Sequence, residues 1–179
     1  MTIRLDMRKT VNKASDVLGD SAGAVGDFFR RQLAPDGGFR GRDGYSDLYY
    51  TVFGLEASLS LGVDLPLDLV SRYLDGFETG ESLDLVHLAS LIRCRANLAN
   101  VGSREIAAGH LMKHRSRDGG FNMVPDAEQG SAYGSFLSLG AWQDLGIVCP
   151  DVEAMAGSIA SLLRSDGGYA NEASMTAST

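Results

Sequence analysis

The sequence predicts an all-α protein built from about four repeated helix hairpins of 40–48 residues. Three observations point there. The phrase Asp-Gly-Gly-aromatic recurs at Asp36-Gly37-Gly38-Phe39, Asp118-Gly119-Gly120-Phe121 and Asp166-Gly167-Gly168-Tyr169, with a degenerate copy, Asp75-Gly76-Phe77, between the first two. Counted between aspartates, the repeat lengths are 39, 43 and 48 residues, the range of helical-repeat units. Apolar residues around the phrases follow helical spacing, and the alternating β-branched runs that mark strands are missing.

The elements follow in chain order. The first 20 residues are read as one short helix. One helix is expected before each phrase, over roughly 21–34, 66–75, 103–115 and 150–164. In the last of these Val152, Met155, Ala156, Ile159, Ala160 and Leu163 recur at spacings of three and four, an amphipathic pattern. Pro66 and Pro150 stand at helix starts, where proline is tolerated. After each phrase a serine opens an apolar stretch: Ser46, Ser82, Ser131 and, at the end, Ser178. Serine there reads as an N-cap, its oxygen accepting an orphaned backbone N–H. The stretches end near Gly62, Gly102 and Gly146, as helix ends often do. The helix after the first phrase is apolar nearly all round (Leu48, Tyr49, Val52, Phe53, Leu55, Ala57, Leu59, Leu61), so it is expected to be covered on all sides. Two layers satisfy this, either as an open α-solenoid or as an α/α toroid with an inner ring of helices.

The repeated phrase is a phosphate-binding loop or a structural joint. The joint is the expected role: glycine supplies φ > 0, the aspartate bonds nearby amides, and the aromatic packs back on the helix pair.

Composition excludes several classes. With a net charge of −7 and a pI near 4.9, the chain lacks the clustered cations that phosphate backbones demand, so no nucleic-acid partner is expected. Its only dense basic stretches are Arg4–Lys13 and Lys113–Arg117. Cys94 and Cys149 form no framework, which fits a reducing, cytoplasmic setting. No apolar run approaches the roughly 20 residues of a membrane span.

Residues 35–57, PDGGFRGRDGYSDLYYTVFGLEA, carry a further signal. Gly37-Gly38-Phe39 followed by Arg40-Gly41-Arg42, then Asp47-Leu48-Tyr49-Tyr50-Thr51-Val52-Phe53-Gly54-Leu55, resembles the prenyltransferase and squalene-cyclase repeat family, most of all its protein prenyltransferase β subunits of the type II geranylgeranyl kind. The resemblance spans residues 20 to 179. It implies a single α/α-toroid domain over 1–179 with an apolar cavity for an isoprenoid chain. It also implies an α-subunit-like partner. The fourth inner helix would open at Ser178, so the toroid is expected to be partial, continued beyond the chain end or completed by self-association.

By that resemblance Arg42 takes the diphosphate of an isoprenoid such as geranylgeranyl or farnesyl diphosphate, through a guanidinium fork suited to phosphate oxygens. The alternative is a solvated arginine paired with Asp43 or Asp47. Tyr50 would join Arg42, with Tyr49 and Phe53 beside them on the apolar chain. The activity implied is prenyl transfer to a thiol; the alternative is a non-catalytic module that binds a lipid or peptide. The family's zinc rests on Asp-x-Cys and a histidine. Here Tyr49 stands at the cysteine position, and Tyr49-Tyr50-Thr51 lacks the histidine, so the zinc ligands are unmatched. Asp47, Asp84 and His87 are the metal candidates, Asp84 and His87 sharing a helix face. His110 and His114, four apart, are read as surface residues of an outer helix, and Cys94 as a buried spectator. The aromatics Tyr49, Tyr50, Phe53, Tyr133, Phe136 and Trp142 either line a pocket or fill the core, core filling being the default.

Overall fold

A computed structural model describes residues 2–11 and 14–178. Among them the secondary structure is helical: α1 (Ile3–Val11), α2 (Ala14–Leu18), a 3-10 turn (Gly19–Ser21), α3 (Ala22–Gln32), α4 (Leu48–Ser60), α5 (Leu67–Asp75), α6 (Leu85–Asn97), α7 (Arg104–Met112), α8 (Ala132–Leu145) and α9 (Val152–Ala160). Only isolated β-bridges accompany them. The all-α expectation holds, and each predicted helix is present with its ends trimmed by a few residues. None is long and apolar enough to cross a membrane.

The residues gather into two compact units. One comprises Met1–Thr79 and Ser90–Gly102, the other Gly80–Ala89 and Ser103–Thr179. In the first, α1 and α3 both pack on α4. Its core holds Phe39, Leu48, Val52, Leu55, Val70 and Leu74. Arg4 Nη1 donates to Asn97 Oδ1 at 2.9 Å and ties α1 to the end of α6. In the second unit α8 packs on both α7 and α9. There Leu85, Leu111, Phe121, Trp142, Leu145 and Leu162 are buried.

The three full Asp-Gly-Gly joints fold alike. In each, the residue two before the aspartate donates its N–H to the second glycine's carbonyl, and the first glycine's N–H returns to that residue's carbonyl. The pairs are Ala34/Gly38 and Gly37/Ala34, Ser116/Gly120 and Gly119/Ser116, Arg164/Gly168 and Gly167/Arg164. The aspartate Oδ1 accepts the second glycine's N–H at 3.0, 3.1 and 3.0 Å for Asp36, Asp118 and Asp166. The two glycines serve different needs. The first turns the chain at φ +101, +89 and +86° for Gly37, Gly119 and Gly167, which a side chain opposes. The second lets another segment approach: a Cβ on Gly38 would fall within 2.7 Å of the Tyr73 ring, and one on Gly168 within 2.5 Å of Ser178 Cβ. The phrase is therefore a joint and not a phosphate loop. At the degenerate copy, Gly76 stays right-handed at φ −61°. There Arg95 Nη2 closes the turn instead, donating to Leu74 O at 3.0 Å and Glu78 O at 2.8 Å.

Some helix ends depart from the sequence expectation. Ser131 caps α8, accepting Gly134 N–H at 3.0 Å. Ser46 does not cap α4; Asp47 does, accepting Tyr50 N–H at 3.0 Å, because the Ser46 hydroxyl is taken by Asp36 Oδ1 at 2.6 Å. Asp84, not Ser82, caps α6 through His87 N–H at 2.9 Å, a turn from Gly80 to Leu83 intervening. Ser178 likewise donates to Asp166 Oδ2 at 2.9 Å, the bond Ser46 makes in the first joint. Gly62 and Gly146 are left-handed as expected. α6 stops at Asn97 instead of near Gly102; Ala99 takes the left-handed position and Asn100 N–H closes on Arg95 O.

Nor are the apolar helices covered on all sides. Phe53 on α4 is 53% exposed and Phe136 on α8 47%, with Tyr133 also exposed. Of the six aromatics read as core filling, Trp142 alone is buried.

Candidate functional site

The exposed face of α4 borders an apolar groove. α3 lays Phe28 and Phe29 along one side, and Tyr50 and Phe53 of α4 form the other. Phe39 forms part of the lining, because Gly54 leaves room for its ring; a Cβ there would collide with it. Tyr50 and Phe53 face the groove together because three residues separate them on the helix. The groove has a volume of about 270 Å³, and Arg42 stands on its rim. A second groove of about 250 Å³ shares Phe29 and Phe53 with it and runs on between α1 and α4 past Met7, Val11 and Ala57.

The loop that carries Arg42 is closed upon itself. Gly41 N–H donates to Tyr45 O at 2.7 Å and Gly44 N–H to Gly41 O at 3.1 Å. Arg40 Nη1 donates to Gly44 O at 2.9 Å, and Asp43 Oδ1 accepts Tyr45 N–H at 3.1 Å. With Asp43 and Asp47 both engaged by backbone amides, the expected pairing of Arg42 with either does not form. Among the described residues Arg42 makes no hydrogen bond or ion pair, so its guanidinium donors are available at the groove mouth.

Three of the four sequence-predicted binding residues thus meet: Arg42, Tyr50 and Phe53 line one groove. Tyr49 lies behind them, its ring edge-on to Tyr50 (centroids 5.8 Å) and to Phe53 (4.9 Å). Phe28 and Phe29 were not foreseen as site residues; their pairing with α4 is a tertiary contact that local spacing does not carry.

The metal candidates do not converge. Asp47 sits at the head of α4 and Asp84 at the head of α6, each as an N-cap. Asp84 Oδ1 also lies 2.8 Å from His87 Nδ1. Burial pushes the Asp84 carboxyl up, but the hydrogen bonds from the His87 amide and imidazole outweigh it and hold the group below the ordinary carboxylate range. Among the described residues no group of three His, Cys, Asp or Glu could hold a metal ion. A zinc centre of Asp-x-Cys type does not fit α4, where the Tyr49 ring occupies the thiolate position.

The cysteines are silent. Cys94 is fully buried, and burial pushes its thiol far up, with Glu56 adding to the effect and Arg93 opposing it. Burial also raises Cys149, against Arg115. Thiolate is the reactive form, so a disulfide reagent added to the native protein is expected to label neither cysteine until unfolding exposes them. Stoichiometric labelling within the mixing time, followed by absorbance, would contradict that burial.

His110 and His114 correct the sequence reading. They are not surface residues: His114 is 7% exposed, and His110 Nε2 is buried. Both line a cavity of about 340 Å³ in the second unit, which Asp84 also lines. The loop that precedes α6 brings Asp84 there, across more than twenty residues of sequence, so the histidine pair alone gave no sign of it.

Fold and site define an all-α protein of glycine-jointed helix hairpins with an arginine-rimmed apolar groove. Compared with family models, with curated proteins and with solved structures, the chain matches none.

Proposed function

We propose that this protein binds an isoprenoid diphosphate, or an amphiphile of that chemistry, with the apolar chain in the α3–α4 groove and the anionic head on Arg42. One observation carries the reading: an arginine with no partner among the described residues stands at the mouth of a groove walled by Phe28, Phe29, Tyr50 and Phe53. A guanidinium forks onto phosphate oxygens, and aromatic faces suit an alkene chain. Three joints with one bonding scheme support placing the hairpins in a prenyltransferase-like α/α toroid. Binding without transfer is the form the site favours. Transfer to a thiol calls for a metal-held thiolate, and the ligand set for one is not offered at α4.

The test is calorimetric titration with farnesyl and geranylgeranyl diphosphate. Arg42→Ala removes charge-assisted hydrogen bonds of about 1.5–3 kcal/mol, which corresponds to roughly 10- to 100-fold weaker binding. The matching alcohols, which lack the diphosphate, should bind wild type and variant alike. Equal affinity of wild type and Arg42→Ala for the diphosphates would remove the head-group assignment.

A further inference from the structure

The 340 Å³ cavity of the second unit takes no part in the groove, and its lining is chemically distinctive. His110 Nε2 is buried and has no hydrogen-bond partner among the described residues. Buried imidazole nitrogens are ordinarily satisfied by protein, water or an ion. His114 Nδ1 lies 3.2 Å from the carbonyl oxygen of Asn122. A carbonyl only accepts, so Nδ1 carries the hydrogen and Nε2 of the neutral ring keeps its lone pair. Imidazoles that bind metals are oriented in this way, through the ring nitrogen that faces away from the ion.

The second joint supplies a third donor. Asn122 N–H donates to His114 O at 2.9 Å, which lays residue 122 against 114. The Asn122 side chain donates to Gln129 O at 2.8 Å and accepts Val124 N–H at 3.1 Å. Met123 is held between these braced positions and lines the same cavity as the two histidines.

We propose that His110, His114 and Met123 form a binding site for a soft monovalent cation, with Cu+ the natural candidate. Two imidazoles and a thioether are a soft donor set that hard cations such as Mg²⁺ and Ca²⁺ do not favour. The carboxylate of Asp84, on the same cavity, favours a cation over an anion. His110 and His114 supply nitrogen lone pairs, and Met123 supplies the sulfur that sets the preference.

The experiment titrates Ag+, a redox-silent analogue of Cu+, into the full chain in chloride-free buffer. The chain carries Cys94→Ala and Cys149→Ala, so that no thiol competes, and 13C-methyl methionine as a reporter. One equivalent is expected to shift one of the six methionine methyl signals, the one that Met123→Leu removes. It should also shift the His110 and His114 ring protons, while His87→Gln leaves the titration unchanged. Met123→Leu keeps the side-chain volume and so the fold; it is expected to weaken binding at least tenfold, and His110→Gln to abolish it. Cu+ under anaerobic conditions, read against a chromogenic chelator, should repeat the pattern. Absence of binding, a shift at other methionines, or an affinity indifferent to Met123→Leu would overturn the proposal.

Discussion

Gly37→Ala is expected to destabilise the first unit by about 3–4 kcal/mol, the sum of a forced backbone and a steric conflict. Gly37 sits at φ +101°, where an L side chain is strained, and an added Cβ would collide with the main-chain oxygen of Leu69 on α5. A helix carbonyl cannot swing aside as a side-chain tip can. Gly44 separates the two contributions. It lies in the same unit at φ +85°, and a Cβ there meets nothing within 4 Å. Gly44→Ala therefore carries the backbone strain alone, about 1–2 kcal/mol. Urea unfolding followed by circular dichroism measures both; the fluorescence of Trp142, the single tryptophan, reports the other unit. Equal losses for the two variants would mean that the joint does not hold α5 closely.

The joints were legible in the sequence because their chemistry is local. Asp36, Asp118 and Asp166 each bond an amide two residues on, and the glycine beside each takes a positive φ, so four adjacent letters specify the turn. The caps were less legible. Ser46 and Asp47 are both good capping residues, and what decided between them was Asp36, ten residues earlier, claiming the serine hydroxyl. The groove was half legible. Tyr50 and Phe53 share a helix face by spacing, while Phe28 and Phe29 join them only because α3 packs on α4. The second cavity was hidden altogether. His110 and His114 carry no local sign of burial, and Asp84 reaches them through the path of the chain.

Asp118→Ala is expected to cost about 3–5 kcal/mol, because one carboxylate serves four donors and their losses combine. Asp118 Oδ1 accepts Ser116 Oγ–H at 2.7 Å, Gly120 N–H at 3.1 Å and Gly130 N–H at 3.0 Å, and Oδ2 accepts Ser158 Oγ–H at 2.8 Å. The residues bearing those donors are buried, so water does not replace the acceptor freely. The Ser158 bond comes from α9, which makes this joint the anchor of that helix. Asp118→Asn keeps the Oδ1 acceptor and should cost about 1–2 kcal/mol; both variants are read by Trp142 fluorescence in urea. Acid provides an independent check. Burial raises the Asp118 carboxyl, but the bonds from Ser116, Ser158, Gly120 and Gly130 outweigh it and hold the group below 3.8. With the folded value depressed, the unfolded chain binds the proton more readily, and stability rises with pH across that window. The carboxylate's contribution is thus complete above the unfolded value near 3.8 and is lost as pH falls through the lower folded one. The gap between wild type and Asp118→Asn should stay constant near neutrality and close below about pH 4. A gap that widens on acidification would show that the carboxylate is not the charged acceptor on which α9 is hung.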